Sequence, residues 1–335
     1  MHKHLSFFIG ILLVACASRE PKVIQNQSVG GALGTSYSII YLSDKKLDFQ
    51  KEIDSVFAAV NKSMSTYMPD SDISKINKGD AMVVVDTMFE EVFELSKEIN
   101  TKTRGYFDPT VGALVNAWGF GPGKQLEMDS TRVDSLMRYV GFDKVKLTKA
   151  RTIVKEDPDI YFDFNAIAKG YAIDRLAIML DAKGIQNYLL EVGGELVAKG
   201  ENTIKQKPWV VGIDDPQIKI GRKSKLLISL KNRAMASSGN YRKFRIDSTT
   251  GKKYVHTIDP ITGYTKNANT LAANVLAGDC ATADAYATAF MAMDLDETLK
   301  FLAKQQGLDA YIIYLNQKGQ TTEYMTEGFK ELVIK

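Results

Sequence analysis

Asp284 and Thr288 stand four residues apart in the run Ala283-Asp-Ala-Tyr-Ala-Thr288. On a helix that spacing puts both side chains on one face. A carboxylate beside a hydroxyl, in a small and apolar helix start, suits a hard cation that takes oxygen ligands. The plain structural alternative is that Asp284 lends its charge to a helix N-terminus while Thr288 bonds back to a carbonyl. A second candidate is Asp163-Phe-Asn-Ala-Ile-Ala-Lys-Gly170, where a strand is expected to end and a helix to begin. Such a junction offers free backbone N–H groups to an anion; simple N-capping by Asp163 or Asn165 explains the residues equally well. Glu191-Val-Gly-Gly-Glu195 reads first as a hairpin turn and second as a place where backbone meets ligand. Ser238-Gly-Asn-Tyr-Arg242 carries the same ambiguity. His256 begins His256-Thr-Ile-Asp-Pro260 at a strand end, with Thr262-Gly263 as a turn beyond it. A lone histidine in a strand is more often structural than catalytic. Tyr67, Trp118 and Phe120 offer aromatic surface for a flat ring, with core packing as their default use.

Familiar signatures are missing. Gly119-Phe-Gly-Pro-Gly-Lys124 is rich in glycine but lacks the spacing and the Ser/Thr of a P-loop. No G-x-G-x-x-G follows a strand to open a helix, and no G-x-S-x-G elbow supplies a serine for His256.

The elements that must hold these residues follow from periodicity. Thr35 to Leu42 alternates polar and apolar residues and is expected to be a strand. Helices are expected over Phe49 to Met64, Thr87 to Lys102 with Asp86 as N-cap, a short stretch from Pro109, and Asp129 to Val140. Ala166 to Lys183, Thr282 to Met293 and Asp296 to Gln305 are read as further helices. Strands are expected at Lys144 to Leu147, Thr152 to Lys155, Ile160 to Phe164, Tyr188 to Val192, Leu196 to Lys199, Trp209 to Ile213, Leu226 to Leu230, Arg233 to Ala236 and Tyr254 to Ile258, and another at Thr270 to Leu276. Helices and strands mix without a regular βαβ beat, which favours an α+β fold over a doubly wound parallel sheet. No linker, repeat or low-complexity tract interrupts residues 30 to 335, so one large domain is expected.

The N-terminus resembles a secretory signal: Lys3, an apolar run from Leu5 to Val14, then small residues around Cys16. The run is shorter than the about 20 residues that span a bilayer. Leu13-Val-Ala-Cys16 resembles a bacterial lipobox, which gives a signal over residues 1–15, a lipid-bearing tether over 16–28, and a domain over 29–335. The chain would then be extracytoplasmic and membrane-anchored, on the periplasmic side in a Gram-negative cell. Of the three histidines, His2 and His4 leave with the signal, so His256 alone remains. With Cys16 committed to lipid, Cys280 is the only free thiol. That excludes an intrachain disulfide and a zinc site of the usual Cys/His kind; any metal must sit among oxygen ligands, as magnesium or calcium does. A net charge of +3 across 335 residues gives no sign of a nucleic-acid binder.

Taken in order, the pieces resemble a known family. Gly34-Thr35-x-Tyr37, Met64-Ser-Thr-Tyr-Met-Pro-Asp-Ser71, Phe107-Asp-Pro-Thr-Val-Gly112, Trp118-Gly-Phe-Gly-Pro122, Asp163-x-x-Ala166-Ile-Ala-Lys-Gly-Tyr171, Glu191-x-Gly-Gly-Glu195, Ser238-Gly-Asn-Tyr-Arg242, His256-x-Ile-Asp-Pro-x-Thr-Gly263 and Ala283-Asp-Ala-Tyr-Ala-Thr288 are together similar to the ApbE family of FAD:protein FMN transferases. The similarity runs from about residue 33 to 290. It implies a cleft between two subdomains of one α+β fold, FAD as donor, and Mg2+ as the essential ion. A Ser or Thr hydroxyl of an acceptor flavoprotein, such as a subunit of a membrane redox complex, would take FMN in phosphoester linkage, and AMP would leave. By the same resemblance, Asp284, Thr288 and the carbonyl of Ala166 would hold the metal. Leu33, Tyr67, Trp118, Gly119, Phe120, Asp163, Lys169 and Ile258 would touch FAD, and His256 would deprotonate the acceptor hydroxyl. Leu33 replaces the Met of many relatives, Asn240 their Asp, and Lys169 the Glu of some, where a lysine would meet phosphate. A metal-dependent FAD pyrophosphatase and a non-enzymatic flavin-binding lipoprotein stay open as alternatives.

Overall fold

The computed structural model describes residues 23–218, 223–240, 244–246, 253–266 and 269–334. The expected signal, the lipobox cysteine, Tyr241 and Arg242 lie outside them. The tether does not extend through Ser28 as its polar composition suggests. Strand β1 (Ile24–Ala32) pairs antiparallel along its whole length with β2 (Thr35–Ser43). Polar side chains are no bar, because the ladder is made by the backbone. Asn26 and Ser28 face inward, and Asn26 bonds Ser43 Oγ at 2.8 Å and accepts from Leu47 N at 2.9 Å.

Helix α1 (Gln50–Met64) turns Ile53, Phe57, Val60 and Met64 inward, at the expected helical spacing. Next come α2 (Asp72–Asn77), which periodicity did not flag, and α3 (Thr87–Lys102) with Asp86 accepting from Phe89 N at 2.8 Å. Helices α4 (Gly112–Ala117) and α5 (Ser130–Met137) lead to a small hairpin of β3 (Val145–Leu147) and β4 (Ile153–Lys155). Ile160 to Phe164 is not the expected strand; a single parallel bridge joins Val111 to Tyr161. Phe162 and Phe164 are apolar because they are wholly buried, and the Asn77 amide takes the hydrogen bonds of Phe162 N and O that a neighbouring strand would take.

Helix α6 (Ala168–Ala182) leads to β5 (Tyr188–Val192), β6 (Glu195–Lys199), β7 (Trp209–Asp214), β8 (Ser224–Leu230), β9 (Arg233–Gly239), β10 (Phe244–Ile246) and β11 (Lys253–Val255). The chain closes with β12 (Thr270–Ala277), α7 (Cys280–Ala292), α8 (Leu295–Leu302), β13 (Asp309–Leu315), β14 (Thr321–Met325) and α9 (Glu327–Lys330). Eight strands form one sheet in the order β1-β2-β5-β6-β9-β12-β13-β14, each neighbouring pair antiparallel. Helices α1, α6 and α7 cover one face, where Ile39, Leu190, Ile173 and Leu176 share a cluster. The β7–β8 hairpin and α9 cover the other through Trp209, Ile228, Leu276 and Phe329. The fold is α+β, with helices and hairpins flanking a mixed-order sheet.

Helices α6 and α7 cross at very close range. A Cβ on Gly170 would lie 2.3 Å from the carbonyl oxygen of Cys280, so only glycine fits there. That crossing sets the start of α6 against the Asp284 end of α7.

Candidate functional site

The N-terminus of α7 is capped without Asp284. Asp279 accepts from Thr282 N at 2.8 Å, and both oxygens of Asp174 on α6 accept from Cys280 N and Ala281 N, each at 2.8 Å. Burial of Asp174 pushes its carboxyl up to about 7, against the pull of those two N–H groups. Asp284 lies a turn further in and is 5% exposed; its Oδ2 accepts from Gly170 N at 3.1 Å. Burial raises its pKa, while Lys169 and the Gly170 N–H draw it down. Thr288 is half-buried on the same face, and its hydroxyl makes no hydrogen bond among the described residues. Because Gly170 N turns to Asp284, the carbonyl of Ala166 accepts no hydrogen bond among the described residues. A carboxylate, a hydroxyl and a carbonyl are thus left with acceptor capacity around one helix crossing.

Lys169 leaves the first turn of α6 and meets Glu195, the first residue of β6. Contact this close favours the charged form of both groups. Although burial opposes its charge, Glu195 and Asp284 together raise the Lys169 pKa; burial pulls Glu195 toward its neutral form. Gly193 and Gly194, with φ of +64° and +103°, make the preceding turn, and Glu191 accepts from Gly194 N at 2.7 Å. The hairpin reading of that motif holds.

Asp163 does not cap α6. Its Oδ1 accepts from Asn165 N at 2.8 Å, and the helix begins after Ile167 with no side-chain cap. Its own N–H donates to Pro109 O at 2.8 Å, which joins two of the sequence motifs. Burial raises the Asp163 pKa. Tyr67, 61% exposed and so not a core residue, has its hydroxyl pKa raised by partial desolvation and then by the charge of Asp163. Leu33 occupies the β1–β2 turn at φ +51° and touches both helix-side clusters. A leucine in the left-handed region costs roughly 1–3 kcal/mol, a strain that gathers at ligand clamps.

A third group surrounds His256. The strand expected through Ile258 ends at Val255, so His256 begins a loop instead. Asp259 shapes that loop: its Oδ1 accepts from Ile261 N at 2.9 Å, and its N–H donates to Tyr264 O at 2.8 Å. The indole of Trp118 pins the loop by donating to Gly263 O at 2.9 Å. Trp118 and Ile258 pack in one cluster with Leu114 and Val133, and the Phe120 ring meets the His256 ring edge-on at 6.5 Å. Gly119, at φ +81°, turns the chain out of α4 so that Phe120 can reach that loop.

A model of the ApbE family matches residues 33–312. The chain belongs to the ApbE family. A relative from Haemophilus influenzae named FAD:protein FMN transferase is 34% identical, with 99% of each chain covered. One of the same name from Vibrio cholerae is 33% identical, with 97% of each covered. The solved structure of the flavin transferase ApbE from Vibrio cholerae superposes with a TM-score of 0.81 at 31% identity, covering 93% of this chain and 100% of that one. The apo flavinyl transferase ApbE from Pseudomonas stutzeri gives 0.80 at 26% identity, covering 92% and 97%.

The residues singled out from the ApbE resemblance therefore fall into three sets: Asp284, Thr288, Ala166 and Lys169 at the helix crossing; Asp163, three residues before Ala166, with Tyr67, whose hydroxyl feels its charge; Trp118, Gly119, Phe120, His256 and Ile258 around the pinned loop. Leu33 stands at the end of the first hairpin. Two surface hollows of about 420 and 490 Å3, one near Tyr324 and one near Asn26, are lined by none of them. Among the described residues no three Asp, Glu, His or Cys side chains converge as a metal group. A cation here would draw few ligands from protein and keep places for water and phosphate, the habit of Mg2+. Asp174 and Glu195 were not recognised from sequence as partners of this site. Glu195 was visible only as the end of a turn, and nothing local marks Asp174.

Proposed function

We propose that this ApbE-family enzyme transfers FMN from FAD to a Ser or Thr hydroxyl of acceptor flavoproteins, with Mg2+ as its cation and AMP as the leaving group. The observation that carries this reading is Asp284: a buried carboxylate whose obvious structural duty, capping α7, is already performed by Asp279 and Asp174. Asp284, Thr288 and the Ala166 carbonyl would hold the cation. When bound, the cation offsets pyrophosphate charge and stabilises the departing phosphate.

The chain's own groups supply the rest. Leu33, Tyr67, Trp118, Gly119, Phe120, Asp163 and Ile258 would seat FAD, and Lys169 would meet its phosphates. His256 would accept the hydroxyl proton as the acceptor oxygen bonds to the FMN-side phosphorus. The bond from that phosphorus to the bridging oxygen breaks, and AMP carries the electron pair away. The acceptor would be a flavoprotein subunit of a membrane redox complex.

Incubating the protein with FAD, Mg2+ and a candidate acceptor tests the reading. Labelled acceptor and AMP are expected in equal amounts. Free FMN forming faster than labelled acceptor would mean a pyrophosphatase, and bound flavin without AMP would mean a carrier.

The lipobox reading adds a location: an extracytoplasmic enzyme tethered to the membrane through lipid on Cys16. Native expression should give a membrane-bound wild type and a soluble Cys16→Ala variant, separable by detergent phase partition. A wild type as soluble as the variant would remove the anchor.

A further inference from the structure

Glu195 follows the Gly193–Gly194 turn directly and is 2% exposed. One carboxylate oxygen accepts from Lys169 Nζ; the other is shut off from solvent and has no hydrogen-bond partner among the described residues. A buried carboxylate served by one cation depends on that cation, because removing it leaves an uncompensated charge. Lys169 stands immediately before Gly170, whose N–H donates to Asp284. The ammonium therefore lies within reach of the fields of both carboxylates. Yet its ion pair is with Glu195, and among the described residues none joins it to Asp284.

We propose that Glu195 is a positioning residue: it holds the Lys169 ammonium off Asp284 and so leaves that carboxylate free for a divalent cation. The inference rests on the cation reading of Asp284 given above. An ammonium seated on Asp284 would cancel the charge that draws a dication. Among the described residues Glu195 takes no other side-chain donor, and it, not Asp284, holds the lysine. A lysine has three donors, and with 29% of the Lys169 side chain exposed, the two that Glu195 leaves remain available to an anionic substrate.

The test is calorimetric titration of Mg2+ into the full chain without FAD. Glu195→Gln keeps the shape and removes the charge; freed Lys169 should move to Asp284 and weaken Mg2+ binding ~10-fold or more, as outer partners of metal ligands do. Adding Lys169→Met to Glu195→Gln removes the competitor and should restore affinity to within about threefold of wild type, the coupling expected of neighbours. A purely structural Glu195 would not be rescued by a second change at its partner, and thermal unfolding of each variant checks the fold. Wild-type affinity in Glu195→Gln, or a double variant as weak as the single, overturns the proposal. Asp284→Asn separates the cation site from the positioning role of Glu195. If it binds Mg2+ like wild type, the cation reading falls and this inference with it; if it loses binding while Glu195→Gln does not, this inference alone falls.

Discussion

Asp284→Ala is expected to abolish magnesium-dependent FMN transfer, a loss of ~10²–10³-fold or more given what single charge-stabilising groups contribute in dry sites. The fold should survive it. Among the described residues the Asp284 carboxylate takes one hydrogen bond, from Gly170 N, while the α7 terminus is held by Asp279 and Asp174 and its flanks by buried alanines, Tyr286 and Phe290. Losing that bond leaves one buried N–H unpaired, at a cost of ~1–3 kcal/mol. Part of that is offset because a costly buried carboxylate has gone. Transfer to an acceptor across a magnesium titration, with circular dichroism as the folding control, measures both. Wild-type activity at low magnesium would remove Asp284 from the site.

His256→Ala is expected to slow the transfer step by ~10²-fold or more while FAD affinity stays nearly unchanged, the pattern of a lost general base. The loop after β11 is already fixed by Asp259, by the Trp118 indole on Gly263 O, and by Lys266 bridging Asp259 and Asp294 at 3.4 and 2.9 Å. Single-turnover transfer at saturating FAD, followed from pH 5 to 9, should show the wild-type rate rising through neutrality, since an imidazole ordinarily titrates near ~6.5. The variant should lose that limb. An unchanged profile would leave the cation-activated hydroxyl to carry the reaction alone. Weakened FAD binding or thermal stability with a small rate effect would instead make His256 a structural residue.

His256 and Tyr67 are residues whose local sequence says little. Local pattern places His256 in a strand, yet it begins a loop, because the β10–β11 ladder ends at Val255 and the next backbone groups bond within the Asp259 turn. Core packing is the default use of Tyr67, yet it is exposed. In both cases the residue type fitted several surroundings, and only the neighbours brought in by the fold chose among them.

The sequence by itself determined what short-range forces decide. Helix α3 runs over the expected residues because Asp86 can cap it and Phe89, Val92 and Phe93 recur on one face within a few turns. The β5–β6 turn follows from two adjacent glycines that accept positive φ. The order of motifs fixed the family, since each keeps its residues within a single turn or junction. Only the tertiary structure decided which polar groups are already satisfied. Asp174 reaches α7 across 106 residues, Lys169 meets Glu195 across 26, and Asn77 serves Phe162 across 85. Nothing in a local window announces such partners, because buried hydrogen-bonding and charge pairing are settled by whatever the packed chain brings within reach. Those long-range partners relieve Asp284 of the cap it resembles, hold Lys169 aside, and replace a strand with a buried irregular segment leading to the site.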